Sequence, residues 1–179
     1  MKDFLVIASI NAITYKDFFP LLKEGKARSG YNFNKTMIFE TPEGEQKKQT
    51  AICWFSTLPT PGKKKLILTK KYNHNDYPHY ENYNAINVNK VKDIPDYDCV
   101  MGVPTTIFGY DLDNVVIMGS GSADDLPEGY KLMSKEFIDL YYSQGGTGQY
   151  QEGNRLEHYI KDGKAIIPYA RVLIRFKRG

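Results

Sequence analysis

The chain has 179 residues, of which 41% are hydrophobic and 25% charged, so it is long enough to fold around a core and too apolar to be disordered. Its formal net charge of +3 is small, which excludes attraction to nucleic acid by overall charge and leaves only local clusters of Lys and Arg. The two cysteines, Cys53 and Cys99, lie in apolar runs, which favours a reducing compartment over a disulfide framework, and we expect a cytoplasmic protein.

The first predicted element is a strand in the apolar run from Phe4 to Ile10. The run is too short to span a membrane and lacks the features of a secretory signal, so no membrane association is expected. Its unbroken apolar character is typical of a strand covered on both faces in a parallel sheet. A helical pattern follows as far as Gly25, with Thr14 as its predicted N-cap. Because Pro20 lies inside this pattern, we expect a kink or two short helical pieces.

Two further strands are predicted at residues 35–41 and 50–58, and the polar residues between them suit the connection of an antiparallel pair. Residues 64–70 form another apolar stretch, which predicts an additional strand. Residues 72–87 are dense in Tyr and Asn and nearly free of aliphatic residues. This composition sets the segment apart from the strands before it.

The remaining elements are mostly short strands. They are predicted at Cys99–Val103, Thr105–Phe108 and Val115–Met118, and a turn rather than a cofactor loop is predicted at Gly119 and Gly121 because the third glycine of that motif is missing. An amphipathic helix follows Ser134, and the pair Asp162-Gly163 predicts a hairpin. In the last strand Val172, Ile174 and Phe176 alternate with a ladder of basic residues, Arg171, Arg175 and Lys177.

Basic and aromatic residues are the candidate functional groups. Lysines flank residues 66–69 on both sides, at Lys63, Lys64, Lys65, Lys70 and Lys71. They are interpreted either as a solvated strand edge or, together with the basic ladder, as a surface for nucleic acid. Trp54 and Phe55 are neighbours on one predicted strand, so one ring is expected in the core and the other is available for stacking. No nucleophile and no metal-ligand spacing is recognisable, and we predict neither a catalytic nor a metal residue.

Five segments in a single order resemble the EcoRI-like adenine-specific DNA methyltransferases. They read FLVIASINAITYKDFFPLLKEGK, GYNFNKTM, ICWFSTL, YNAINVNKVKDIP and YDCVMGVPTTIF, and the resemblance extends from about Phe4 to the terminal ARVLIRF. It implies transfer of a methyl group from S-adenosylmethionine to the N6 amine of adenine in duplex DNA, within a restriction-modification system. On this resemblance Val103-Pro104 corresponds to a C-terminal segment of the family and not to its catalytic loop.

The resemblance also implies an architecture. Residues 4–10, 34–40 and 50–58 resemble the fifth, sixth and seventh strands of the methyltransferase sheet. We therefore expect an α/β fold in which residues 1–71 form this partial sheet of the last three strands. Residues 72–179 are expected to form a β-rich, DNA-facing extension that resembles a target-recognition region.

On this resemblance, the family's cofactor loop and its Asn-Pro-Pro-Phe loop correspond to positions upstream of Phe4. The resemblance therefore implies S-adenosylmethionine in the complete enzyme and none on this chain alone. A partner chain or an upstream segment would carry the cofactor-binding half.

The implied partner is duplex DNA, with the target adenine stacked on Trp54 or Phe55. Phosphate contacts are expected from the five lysines and from Arg171 and Arg175, and base contacts from Asn84 and Asn87. Two interpretations stay open: a fragment or subunit that completes an adenine N6-methyltransferase, and a non-catalytic nucleic-acid-binding module derived from one. A carbohydrate-binding surface built from the tyrosines is a third.

Overall fold

The computed structural model describes residues 2–179 and shows a mixed α/β protein in which short strands predominate. The chain divides into two compact units. The first contains the residues up to Leu66 together with Thr106–Asn114, and the second contains Ile67–Thr105 and Val115–Gly179.

The first unit is built on a three-stranded antiparallel sheet and a hairpin. Its strands are β1 (Leu5–Ser9), β2 (Arg28–Ser29), β3 (Met37–Glu40), β4 (Gln46–Gln49) and β5 (Ile52–Ser56). The sheet has the order β1-β5-β2, so β1 lies at an edge. The side chains of Leu5, Val6 and Ile7 are 58%, 43% and 41% exposed. The prediction of a strand here is confirmed, but its burial on both faces is wrong, because among residues 2–179 β1 has one neighbouring strand and its side chains are little covered.

The pairing predicted between residues 35–41 and 50–58 is also wrong. Strand β3 pairs with β4, which consists of polar residues from the predicted connection between residues 35–41 and 50–58. The turn between them is closed by hydrogen bonds between Thr41 and Glu45, and Gly44 adopts a φ of 80°. A tight hairpin closes a shorter loop than the predicted pair would, and it leaves β5 free to join β1 and β2.

The segment around Pro20 forms two short helical pieces, as predicted. A 3-10 helix covers Ile10–Thr14, and helix α1 (Phe19–Lys23) carries Pro20 in its first turn. In the first turn of a helix the N–H that proline lacks would have no hydrogen-bond partner within the helix. Gly25 ends α1 with a φ of 68°. The predicted N-cap was wrong: Thr14 donates its hydroxyl to the carbonyl of Asn11 inside the 3-10 helix, and Phe18 occupies the N-cap position of α1.

The core of the first unit is aromatic. Phe55 is fully buried and meets Phe18 edge to face at a centroid distance of 5.1 Å. Phe33 meets Phe108 of the segment 106–114 at 6.2 Å. The additional strand predicted at residues 64–70 does not form: these residues make only isolated bridges, at Lys65 and Lys70, and Ile67 is 76% exposed.

The second unit contains a four-stranded sheet, a hairpin and one longer helix. Its elements are β6 (Ile86–Asn87), β7 (Met101–Pro104), β8 (Val115–Gly119), helix α2 (Lys135–Ser143), β9 (Tyr159–Lys161), β10 (Lys164–Ile166) and β11 (Arg171–Phe176). The sheet order is β6-β7-β11-β8, which places the last strand of the chain in the interior. Residues 105–109 form a 3-10 helix, so the strand predicted at Thr105–Phe108 is wrong.

Helix α2 and the hairpin β9–β10 confirm two local predictions. The hydroxyl of Ser134 accepts a hydrogen bond from the amide of Phe137 at 3.2 Å, which caps α2. The helix buries Phe137 and Ile138 against Met133 and Ala165. Asp162 and Gly163 have φ angles of 52° and 73°, as a two-residue turn between strands requires.

Candidate nucleic-acid interface

Trp54 and Phe55 lie on opposite faces of β5, and their surroundings differ. Phe55 is fully buried, whereas Trp54 is 36% exposed. Ile7 lies directly opposite Trp54 in the register of β1 and β5, so both side chains project from one face of the sheet. Of the two rings, only that of Trp54 is exposed.

Gly30 and Asn32 hold the backbone around Trp54. The amide of Gly30 donates to the carbonyl of Trp54 at 2.7 Å, and a Cβ at position 30 would lie 2.9 Å from the Cβ of Trp54. The Oδ1 atom of Asn32 accepts from the Trp54 amide at 3.3 Å and from the Cys53 thiol at 3.5 Å. Glycine is therefore required at position 30, because the chain there approaches β5 closely.

The orientation of the Asn32 amide leaves its Nδ2 group facing away from these donors. Nδ2 is buried and has no hydrogen-bond partner among residues 2–179. A buried donor without an acceptor costs roughly 1–3 kcal/mol. Sequence reasoning did not identify Asn32 or Gly30, although both lie in the GYNFNKTM segment of the family resemblance.

The predicted lysines are placed in different environments. Lys63 points inward, where its Nζ donates to the hydroxyl of Ser29 and to the carbonyl of Phe108, each at 2.9 Å. Burial lowers the pKa of Lys63 to about 8, against the opposing charges of Cys53 and Asp111. Its ammonium therefore bonds to protein rather than facing solvent.

The other four lysines have exposed side chains. The Nζ of Lys64 lies 5.8 Å from the centroid of the Tyr110 ring, within the range of a cation–π contact. Lys70 pairs with Asp93 at 3.8 Å, and Lys65 and Lys71 are exposed. Lys64, Lys65 and Lys71 are thus the predicted lysines best placed to meet a phosphate.

The tyrosines of residues 72–87 mostly pack within the second unit. Tyr77 and Tyr80 are 7% and 6% exposed. The ring of Tyr72 stacks on that of Tyr97 with centroids 4.0 Å apart. These rings contribute more to packing than to an open stacking surface.

The predicted exposed ladder on β11 is wrong at Arg171. This side chain is 6% exposed, and its Nε donates to the Oδ1 of Asn87 at 3.1 Å, while Nη1 donates to the Tyr169 carbonyl at 2.9 Å. Asn87 is 1% exposed and also accepts from the Tyr80 hydroxyl at 2.8 Å. Because β11 is an interior strand, the face of the sheet that carries Arg171 is covered. The side chains of Arg171 and Asn87 therefore form hydrogen bonds inside the protein and do not face solvent.

Glu157 is the most perturbed carboxylate of the second unit. It is 2% exposed, and its Oε1 accepts from the amide of Gly121 at 2.9 Å. Burial raises the pKa of Glu157 to about 7, although the Gly121 amide and Arg171 both favour its charged form. A Cβ on Gly121 would collide with the carbonyl of Arg155. In the turn at Gly119 and Gly121, the Gly121 amide and the space beside this residue are thus both occupied by contacts within the chain.

A cavity of about 260 Å³ opens in the second unit. It is lined by His79, Asn84, Ala85, Ile86, Asp98, Cys99, Val100 and Arg175. It brings together Asn84 and Arg175, two of the residues predicted to contact DNA. Burial raises the pKa of the Cys99 thiol to about 11, which disfavours its nucleophilic thiolate form at neutral pH.

Within residues 2–179 there is no group of three or more His, Cys, Asp or Glu side chains arranged to hold a metal ion. No helix in this part of the chain is both long and apolar enough to cross a membrane.

Comparison with known proteins gives one family. The sequence model of the family described as "Adenine-specific methyltransferase EcoRI" matches residues 1–177. The chain is 42% identical over 125 residues to the type II methyltransferase M.EcoRI of Escherichia coli, a match that covers 59% of this chain and 38% of that protein. It is 34% identical over 126 residues to the type II methyltransferase M.MgeORF184P of Mycoplasma genitalium, covering 59% of this chain and 40% of the relative.

M.MpnI of Mycoplasma pneumoniae, also named a type II methyltransferase, is 32% identical over 126 residues, with 59% of this chain and 40% of the relative covered. The matches therefore span about two-fifths of these curated relatives. No solved structure matches the chain significantly.

Proposed function

Because the chain belongs to the EcoRI adenine-specific methyltransferase family, we propose that it is the DNA-binding and base-stacking part of a restriction-modification enzyme. The complete enzyme transfers a methyl group from S-adenosylmethionine to the N6 amine of adenine in duplex DNA. The names of the relatives support a type II DNA methyltransferase. The observation that carries the base-stacking role is the exposed ring of Trp54 on β5.

The chemistry of the substrate explains why an exposed aromatic ring such as that of Trp54 matters. The N6 amine lies inside the duplex, so the base must be extruded and held before it can react. Stacking on an aromatic ring stabilises a base by about 1–3 kcal/mol. Phe55 is buried and is left out of the proposed stack.

The proposed phosphate contacts are those made by exposed cations. Lys64, Lys65 and Lys71 remain in this set, while Lys63 and Arg171 leave it because their charged groups bond to the protein interior. Phosphate contacts position a protein on the duplex without reading its sequence. The affinity that they supply should therefore fall with salt and not depend on base sequence.

The glycine turn of this chain does not fit S-adenosylmethionine, because the Gly121 amide is bonded to Glu157 and the space beside it is filled by Arg155. We propose that a partner chain or an upstream segment holds the cofactor, and the unpaired edge of β1 offers a place for such a segment to add a strand. Calorimetry of the purified chain with S-adenosylmethionine should show no micromolar binding. Binding in that range would refute this division of labour.

The stacking role can be tested directly because Trp54 is the only tryptophan, so intrinsic fluorescence reports on it alone. The probe is a duplex with an adenine opposite an abasic site, from which the base is extruded at low cost. Saturable quenching of Trp54 is expected with this duplex and not with a fully paired one. Trp54→Ala should weaken binding of the abasic duplex about 5- to 150-fold, the range that corresponds to one stacked base.

The matched control is Ile7→Ala, which alters the same face of the sheet without removing the indole. Equal weakening of both duplexes by Trp54→Ala would contradict stacking and favour the non-catalytic DNA-binding module. Absence of any DNA binding by the wild-type chain would refute the proposed function. Methylation itself is tested by measuring N6-methyladenine in the DNA of cells that produce this chain with its partner segment.

A further inference from the structure

Four charged side chains of the second unit form one cluster, and two of them, Asp98 and Arg175, line its cavity. The Nε of Arg175 lies 3.4 Å from the Oδ1 of Asp98, and Arg178 contacts both Asp98 at 3.8 Å and Asp96 at 3.3 Å. Two guanidinium groups thus face two carboxylates, and their formal charges cancel. A neutral cluster releases few counterions from DNA, so it is poorly suited to gripping the phosphate backbone.

The guanidinium of Arg175 nevertheless has unused hydrogen-bond donors. Among residues 2–179 its contact is the one between Nε and Asp98, which leaves the two terminal nitrogens without a partner. The side chain is 55% exposed, and the carboxylate of Asp98 restricts its orientation. A planar fork of two parallel N–H groups matches the O6 and N7 acceptors of guanine in the major groove.

The same cavity contains a second group that can read a base edge. Asn84 is exposed, and its side-chain amide has no hydrogen bond within the described part of the chain. Asn84 and Arg175 both line the cavity, with His79 beside them. An amide offers a donor and an acceptor, which is the complement of an adenine edge in the major groove.

We propose that Arg175, oriented by Asp98, reads a guanine in the recognition sequence, and that Asn84 reads a base beside it. Arg175 is then a specificity-determining residue and not a phosphate contact. This inference rests on the proposed DNA-binding function and adds to it the residues that choose the sequence.

The experiment begins with a pool of duplexes whose central positions are randomised, from which the purified chain selects its preferred sequence. Affinities for the selected duplex and for a scrambled duplex are then measured by fluorescence anisotropy at several salt concentrations. Arg175→Lys retains the charge and removes the fork, so it separates base reading from phosphate contact. It should abolish the preference for guanine at one position and weaken binding of the selected duplex about 5- to 150-fold.

Binding of Arg175→Lys to the scrambled duplex and its salt slope should match those of the wild type. Asp98→Asn removes one carboxylate from the neutral cluster, so it should bind the scrambled duplex more tightly, with a steeper salt dependence. The matched control is Arg155→Ala, which removes another exposed Arg–Asp pair, with Asp124, and should leave the selected sequence unchanged.

The competing outcomes are distinct. If Arg175→Lys keeps the guanine preference while Arg175→Ala lowers the salt slope by about one unit, Arg175 is a phosphate contact and the inference is wrong. If the wild-type chain binds duplexes, and the abasic duplex quenches the fluorescence of Trp54, but the chain selects no guanine, the inference alone fails. If it binds no duplex at all, the proposed function fails with it.

Discussion

Replacing Glu157 by Gln should remove a pH dependence from the stability of the protein. Glu157 is 2% exposed, and Gln can still accept the hydrogen bond from the Gly121 amide while it cannot titrate. Burial raises the pKa of this carboxyl from 4.5 to about 7. Between these two values the folded protein retains a proton that the unfolded chain has released, so its stability falls as the pH rises.

The size of the effect follows from the two pKa values. Each unit between them corresponds to about 1.4 kcal/mol, so the wild type should lose roughly 2–3 kcal/mol relative to Glu157→Gln between pH 5 and pH 8. Burial also lowers the pKa of His158, which destabilises the folded state on acidification. This contribution is present in both proteins and cancels in their difference.

Urea denaturation followed by circular dichroism at pH 5, 6, 7 and 8 measures the free energy of unfolding of both proteins. The wild type should approach or exceed the variant at pH 5 and fall behind it by pH 8. A difference that stays constant to within about 0.5 kcal/mol across this range would show that Glu157 ionises normally in the fold, and the reasoning from its burial would be refuted.

Lys64→Ala should reduce the slope of log affinity for duplex DNA against log salt by about one unit, whereas Lys63→Met should leave the slope unchanged because the Lys63 ammonium bonds to the protein. Anisotropy titrations measure both slopes, and equal slopes for the two variants would contradict the assignment of Lys64, and not Lys63, as a phosphate contact. Ser134→Ala removes the cap of α2 and should lower the free energy of unfolding by about 1 kcal/mol in urea denaturation, a result that an unchanged midpoint would exclude. Leu5→Lys should suppress concentration-dependent association through the exposed edge of β1, measured by sedimentation velocity; a wild-type chain that remains monomeric at every concentration would argue against a sticky edge.

Local signals in the sequence predicted the elements that depend on local chemistry. The cap at Ser134 and the turn at Asp162-Gly163 are set by hydrogen bonds and backbone angles within a few residues, and both were predicted correctly. The pairing of β3 was not predicted correctly, because alternation of polar and apolar residues indicates a strand but not the strand that pairs with it. A segment of four exposed polar residues, β4, gives almost no signal of its own.

The candidate site shows the same limit. Alternation predicted that Trp54 and Phe55 face opposite sides, but Phe18 covers one side and that contact cannot be read from residue spacing. The inward turn of Lys63 and the burial of Arg171 depend on which strands and segments pack beside them. The assignment of functions to residues 1–71 and 72–179 stays a prediction.

The order in which the chain visits its two units constrains how such a gene can recombine. The polypeptide leaves the first unit after Leu66, re-enters it for Thr106–Asn114 and leaves again. Within that returning segment the carbonyl of Phe108 accepts from both Ser29 and Lys63. A single crossover at the position that corresponds to Leu66 would therefore combine a sheet from one parent with a core segment from the other. Inheritance of a working first unit requires junctions on both sides of codons 106–114, so diversification by exchange of whole parts is harder here than in a chain whose units follow one another.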